Sequence, residues 1–262
     1  MSFNIHPSSV VEDGAEIGDE CIIGPFCHIG EKVRLGAQSI LHSHVALHGN
    51  TSIDEGAKIF PFASIGHEPQ DLKYSGEDTA LDIGKNCTIR EGVTMNPGTA
   101  GDLGKTIVGD NCVFLANSHV AHDCQIGNGV ILSNAALIAG HCKVGNHVIV
   151  GGGAGVHQFC RIGDNAFIGG LAGIENDIIP FGLALGNRAN LGGLNLIGMK
   201  RAGIDRDSIH NTRKAYKILF SKDGNISENL KKINSEFPDD AVVQIIVSFI
   251  EASTDRSLCT PR

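Results

Sequence analysis

The sequence predicts a mainly β protein, a parallel β-helix shaped as a triangular prism of about ten coils, followed by a C-terminal α-helical appendage. Three observations lead there: an aliphatic residue recurs every six positions, glycine often follows it directly, and helical spacing replaces this pattern near residue 190.

The repeat comes first. Aliphatic residues stand at Ile5, Val11, Ile17, Ile23, Ile29, Leu35, Leu41, Leu47, Ile53, Ile59 and Ile65, and the register returns at Ile83, Ile89 and Met95. A second register runs from Val108 and Phe114 through Val120, Ile126, Ile138 and Val156 to Ile174. A helix repeats at about 3.6 residues and a half-buried strand at about 2, and six fits neither. Glycine makes up 34 of 262 residues, with Gly18, Gly24, Gly84, Gly127 and Gly163 each just after an aliphatic position. Asn86, Asn111, Gly129 and Asn165 lie three after it, where a sharp corner needs positive φ. Each unit is thus a short strand and a bend, too small to bury its own apolar residue. Coils stacked about 4.8 Å apart bury these residues together, three units to a coil.

The prism is expected over residues 1–186. Two stretches break the period: 66–82, and 96–107, which shifts the register by one. Long loops leaving a regular scaffold usually carry binding or catalysis. Residues 187–262 form the expected helical part. Asp205 can cap a helix carrying Ile209, Thr212, Tyr216 and Leu219, Asn225 and Glu228 make a capping-box start, and Asp239 and Asp240 precede Val242.

Seven of the eight cysteines occupy the small inward slot four residues after the aliphatic one: Cys21, Cys27, Cys87, Cys112, Cys124, Cys142 and Cys160. They read as apolar filler, no Cys-x-x-Cys occurs, and no metal site is expected. The net charge of −8 argues against nucleic acid. The longest apolar stretch, Val242 to Ile250, is too short for a membrane span, which needs about 18 to 20 residues. Its start lacks a signal peptide, so a cytoplasmic location is expected. Residues 200–232 hold nine basic and four acidic side chains, a local +5 suited to an anionic partner or simply to a solvated helix face.

None of the 12 histidines takes an inward slot. With 18 residues per coil, His122, Gly140 and Gln158 stand in one corner column, and His141 is a coil and a residue from His122. An imidazole beside Asp123, with a glycine N–H one coil away, has the parts for acyl transfer: a base, a group that orients it, and an oxyanion donor.

Four segments, QDLKY (70–74), NSHVAHDC (117–124), HQFCRIG (157–163) and GMKRAG (198–203), occur in order before and after the repeat ends. Together they resemble the acyl-carrier-protein-dependent UDP-N-acetylglucosamine O-acyltransferases, hexapeptide-repeat enzymes at the first step of lipid A biosynthesis. The resemblance covers essentially the whole chain. It implies a left-handed prism, a homotrimer with sites between neighbouring prisms, and transfer of a 3-hydroxyacyl group without a covalent intermediate. It implies no cofactor, since the thioester arrives on the acyl carrier protein.

By the same resemblance His122 matches the general base, Asp123 its support and Gly140 the oxyanion donor. Asp71, Lys73, His119, His141, His157 and Gln158 match substrate contacts, Asn195 and Arg201 the uridine diphosphate site, and Gly170 the acyl-chain ruler, which favours chains of about 12 to 14 carbons. Asn96-Pro97, Ile197 and Ala202 depart from the familiar pattern of His-Arg, an acidic residue and a second Arg. These departures leave open a 3-amino rather than a 3-hydroxyl acceptor. Two rivals are the pathway's sibling N-acyltransferase, which usually has an extra N-terminal domain, and a γ-carbonic-anhydrase-like zinc lyase using His119, His122 and His141. The second lacks its expected His-x-x-x-x-His spacing.

Overall fold

The computed structural model describes residues 4–252 and 256–262. Strands mostly two residues long build three sheets of 11, 9 and 8 strands, which form the faces of a prism. Asn4–Ile5 opens the first face, Val10–Val11 the second and Glu16–Ile17 the third. Each coil pairs in parallel with the next at an interval of 18 residues, as in Ile22↔Ile40 and Ile23↔Leu41. Backbone bonds such as Ile22 N–H to Ser39 O (2.9 Å) and Gly24 N–H to Leu41 O (2.8 Å) satisfy each coil from its neighbour. The period follows from this geometry: the aliphatic residue points inward, and the residue four later fills the corner behind it.

The interior is accordingly mostly apolar. Ile29, Leu47, Ile65, Met95, Val120 and Ile138 line the second face from within, and all eight cysteines are buried free thiols. Burying each such aliphatic side chain contributes roughly 1.5–3 kcal/mol. Towards the amino-terminal end of the described residues, Ile5, Val11, Ala15 and Ile17 are only partly covered.

The two excursions are insertions between consecutive edges, so no coil loses an edge to them. Ile53 pairs with Ile83, and Ile83 with Val108, intervals of 30 and 25 residues. Both end earlier than the sequence suggested. Residues 80–82 and 105–107 lie inside the longer strands Ala80–Ile83 and Lys105–Val108, where Leu81 and Thr106 add a second inward position.

The hexads stop near residue 180, but the sheet does not. Gly182–Leu185 and Asn190–Leu194 form an antiparallel hairpin that extends the first face. The boundary expected at 187 therefore falls within a hairpin. Helices follow as α1 (Leu196–Arg201), α2 (Arg206–Leu219), α3 (Ile226–Glu236) and α4 (Ala241–Glu251). Asp205 caps α2, Asn225 and Glu228 form a full capping box on α3, and Asp240 caps α4. No helix among the described residues is long and apolar enough to cross a membrane.

Arg161 docks the helices on the prism. Its Nε donates to buried Asp177 at 2.7 Å, and Nη1 reaches the Phe249 and Ala252 carbonyls at the end of α4. The tail then returns to the prism: Asp177 N–H donates to Ser257 O, and Cys259 N–H to Asp177 O.

Candidate active site

The corner between the second and third faces assembles the cluster. His119–Val120 is a strand of the second face and Gln125–Ile126 of the third, so His122 and Asp123 make the bend between them. Asp123, His141 and Phe159 succeed one another one coil apart, with φ of +58°, +63° and +64°. A left-handed conformation costs a residue with a side chain about 1–2 kcal/mol, so Asn or Gly would be the local optimum at this corner. The acid and the two rings are held there by the fold.

His122 Nδ1 lies 2.9 Å from Asp123 Oδ2. An ionised carboxylate only accepts, so Nδ1 carries the hydrogen and Nε2 is left with its lone pair. Asp123 is itself clamped: the Thr99 N–H donates to both its oxygens at 3.1 Å, and the Thr99 hydroxyl donates to Oδ2 at 2.7 Å. Although His122 lies on an outward corner, it is 5% exposed and Asp123 2%. The second loop covers them, which an exterior-corner reading of the sequence misses.

Gly140 fits against the His122 ring. A Cβ there would stand 2.6 Å from both Cε1 and Nε2 of His122, although Gly140 φ lies outside the left-handed region. Its N–H makes no hydrogen bond among the described residues, so it is available as a donor. His141 meets His122 edge to face at 4.8 Å between ring centroids and stacks flat on Phe159 at 4.3 Å.

Two clefts flank this ridge. On the second face His119, His122, Gly140, His157 and Gln158 line one together. His119 pairs with the Thr94 hydroxyl at 2.7 Å, and burial holds its pKa below the ordinary imidazole value. On the other side His141 lines a cleft of about 880 Å³ with Asp71 and Lys73, which the first loop brings in. Asn195 and Arg201 do not join either. They line a separate cleft on the first face with Ile197 and Ala202, and the Asn195 amide is engaged with Gly198 N–H and Asn165 O. Gly170 is exposed and follows Phe167–Ile168 of the first face, on the corner between the first and second faces. The two corners bound the same face from opposite sides.

Sequence reasoning missed Thr99, Asp102 and Arg256. Arg256 donates to His157 Nδ1 at 2.8 Å and Gln158 O at 2.9 Å, from a tail 98 residues away that no local signal could place. Asn96, one of the departures, is buried and donates to the His67 and Glu68 carbonyls, so it anchors the first loop. Among the described residues the groups near enough to hold a metal ion are His122, Asp123 and His141, and His119 is not one of them. The hydrogen bonds of His122 and Asp123 already account for their closeness.

The chain matches known proteins over its full length. The family described as "Udp N-acetylglucosamine O-acyltransferase; Domain 2" matches residues 177–259. "Bacterial transferase hexapeptide (six repeats)" matches 14–49 and 105–140, which carries the left-handed sense of the prism. An acyl-[acyl-carrier-protein]–UDP-N-acetylglucosamine O-acyltransferase of Methylobacterium radiotolerans is 60% identical over 98% of this chain and 95% of its own. Its namesake from Rhizobium etli is 53% identical over 99% and 96%. The crystal structure of UDP-N-acetylglucosamine O-acyltransferase from Moraxella catarrhalis superposes with a TM-score of 0.94, at 41% identity, over 97% of this chain and 99% of that one.

Proposed function

The chain belongs to the UDP-N-acetylglucosamine O-acyltransferase family and is an acyl-group transferase, and from that premise we propose that His122 acts as general base in a direct transfer. The substrates are a 3-hydroxyacyl group on acyl carrier protein and the 3-position of UDP-N-acetylglucosamine, at the first step of lipid A biosynthesis. The observation that carries this reading is the chain Thr99–Asp123–His122 set against Gly140. His122 Nε2 takes the proton of the 3-hydroxyl as its oxygen attacks the thioester carbon. The Gly140 N–H steadies the tetrahedral oxyanion. Collapse expels the pantetheine thiolate, which recovers the proton from His122. Cys124, two residues after His122, faces inward and donates to Ala139 O, so it is no nucleophile. The scheme needs no cofactor.

A homotrimer completes the site in this reading. It would bring the Asn195 and Arg201 cleft of one prism to the His122 corner of the next. Leu72, fully exposed between Asp71 and Lys73, is a side chain such a neighbour would cover. The acyl chain would cross the second face over Leu137 and Gly155 towards Gly170.

The test is incubation with 3-hydroxyacyl carrier protein and either UDP-N-acetylglucosamine or its 3-amino analogue, with product masses read. An ester product supports the reading, an amide alone moves the acceptor to the amine, and neither product overturns it. Light scattering of the purified protein checks the trimer.

A further inference from the structure

His141 is built like His122. Its Nδ1 lies 2.7 Å from Asp102 Oδ2, and 3.9 Å from Asp123 Oδ2. Asp102 belongs to the second loop, the same one that clamps Asp123 through Thr99 three residues earlier.

That loop is tied down at its base. Gly98 N–H donates to Ala80 O at 3.1 Å, Ala80 N–H to Gly104 O at 2.9 Å, and Gly104 N–H to Thr99 O at 3.1 Å. At Gly98 a side chain has no room, since a Cβ would collide with the Lys105 backbone nitrogen. Asp102 therefore meets His141 from a fixed turn. Phe159 fixes the plane of the ring from its other side, at an interplanar angle of 2°.

We infer that Asp102 is a positioning residue for the transfer reaction. It holds His141 in a single tautomer and ring setting, so that Nε2 is the one nitrogen offered to the polar acceptor substrate in the cleft beside Asp71 and Lys73. The reasoning is the same as for His122. A carboxylate accepts only, so Nδ1 keeps its hydrogen and Nε2 presents a lone pair. Without Asp102 the ring can carry its hydrogen on either nitrogen, and part of the population presents the wrong one. A substrate hydroxyl that binds one tautomer then binds more weakly, with little change once it is bound.

The kinetic part of this inference rests on the acyl-transfer reading, whereas the tautomer part does not. Long-range ¹H–¹⁵N spectra of imidazole-labelled protein would assign the two His141 nitrogens in the wild type, Asp102→Ala and Asp102→Glu. The wild type should show a hydrogen on Nδ1 and a bare Nε2, and Asp102→Ala a mixture. Asp102→Glu keeps an accept-only carboxylate and should retain the wild-type pattern, which an asparagine, able to donate to Nδ1, would not. In steady-state assays Asp102→Ala should raise KM for the sugar nucleotide on the order of tenfold with kcat within about threefold, and Asp102→Glu should recover KM in step with the pattern. A His141 pattern unchanged in Asp102→Ala overturns the inference whatever the activity. So does a changed pattern with unchanged KM, or a Glu variant that regains the pattern but not the KM. Wild-type protein inactive on both nucleotides would count against the acyl-transfer reading alone, because the spectra still report on Asp102.

Discussion

Gly140→Ala separates two roles that one glycine could play. The substitution keeps the backbone N–H, so a donor to the oxyanion is still present. What changes is the space: the new methyl would stand 2.6 Å from Cε1 and Nε2 of His122, roughly 1 Å inside ordinary contact. His122 cannot easily retreat. Its Nδ1 is held by Asp123, which Thr99 holds in turn through three bonds, and the ring is 5% exposed. Overpacking of this kind costs about 1–3 kcal/mol. If the site yields by turning His122 off its productive setting, that energy appears as roughly a 5- to 150-fold loss in kcat. If the backbone yields instead, it appears as lost stability. Since Gly140 φ is not in the left-handed region, no conformational penalty is added. We expect the loss in kcat to dominate, with a thermal midpoint within a few degrees of wild type. Acyl transfer to UDP-N-acetylglucosamine at saturating donor, alongside a melting curve, reads both. A variant with more than half of wild-type kcat would refute the claim that His122 is wedged between Asp123 and Gly140.

His122→Ala should lower turnover by roughly 10²–10⁴, whereas Cys124→Ser, two residues on but fully inward, should lower the thermal midpoint and spare turnover. Arg213, Lys214 and Lys217 are exposed on α2, and reversing their charges should raise KM for acyl carrier protein at low salt and less at high salt; an unchanged KM would return them to the role of a solvated face. Gly170→Met should fit without backbone strain, since a Cβ there approaches nothing closer than 3.4 Å, and should shift competition between carrier proteins towards shorter chains. Burial first, and then charge on neighbouring histidines, holds the pKa of His48 and His67 below the ordinary imidazole value. Stability should thus be complete above about pH 6.5 and fall as acid protonates them, chiefly through half-buried His48 since His67 is exposed, so a melting temperature that rises on acidification would contradict the lowered pKa of His48.

The prism was legible because its cause is periodic. One inward aliphatic residue per edge, as at Val120, Ile126 and Ile138, repeats often enough to be read without any neighbour being known. The helix caps at Asp205, Asn225 and Asp240 were legible for the opposite reason, since each is decided within a few residues. Column arithmetic then put His122, Gly140 and His141 at one corner, because the coil converts sequence separation into height. The same arithmetic fails across an insertion. Thr99 and Asp102 reach the corner from a loop that obeys no period, and Arg256 from a tail that closes over the far end.

That division has a physical reason that bears on how the site works. The periodic wall can place an imidazole and a glycine within contact, but at this corner it offers an acidic partner to only one of the two rings. Asp123 supplies one for His122 from the next residue, and its own oxygens are then left to Thr99. His141 has no acidic neighbour in its own bend, where Gly140 precedes it and Cys142 follows, so its acid comes from Asp102, 39 residues earlier in the chain. The insertion at 96–104 thus does for the corner what the repeat cannot. Inserting residues between Thr99 and Asp102 should leave the prism folded, since Gly98 and Gly104 still tie the base to Ala80, while His141 loses its fixed tautomer and His122 keeps the one that Asp123 sets. Deleting residues 99–103 should expose His122 to solvent and abolish transfer without unfolding the coils, which circular dichroism and a melting curve would verify beside the activity assay. Loss of the β-sheet signal in that deletion would instead mean that the loop holds the wall together, and its part in the chemistry would have to be argued afresh.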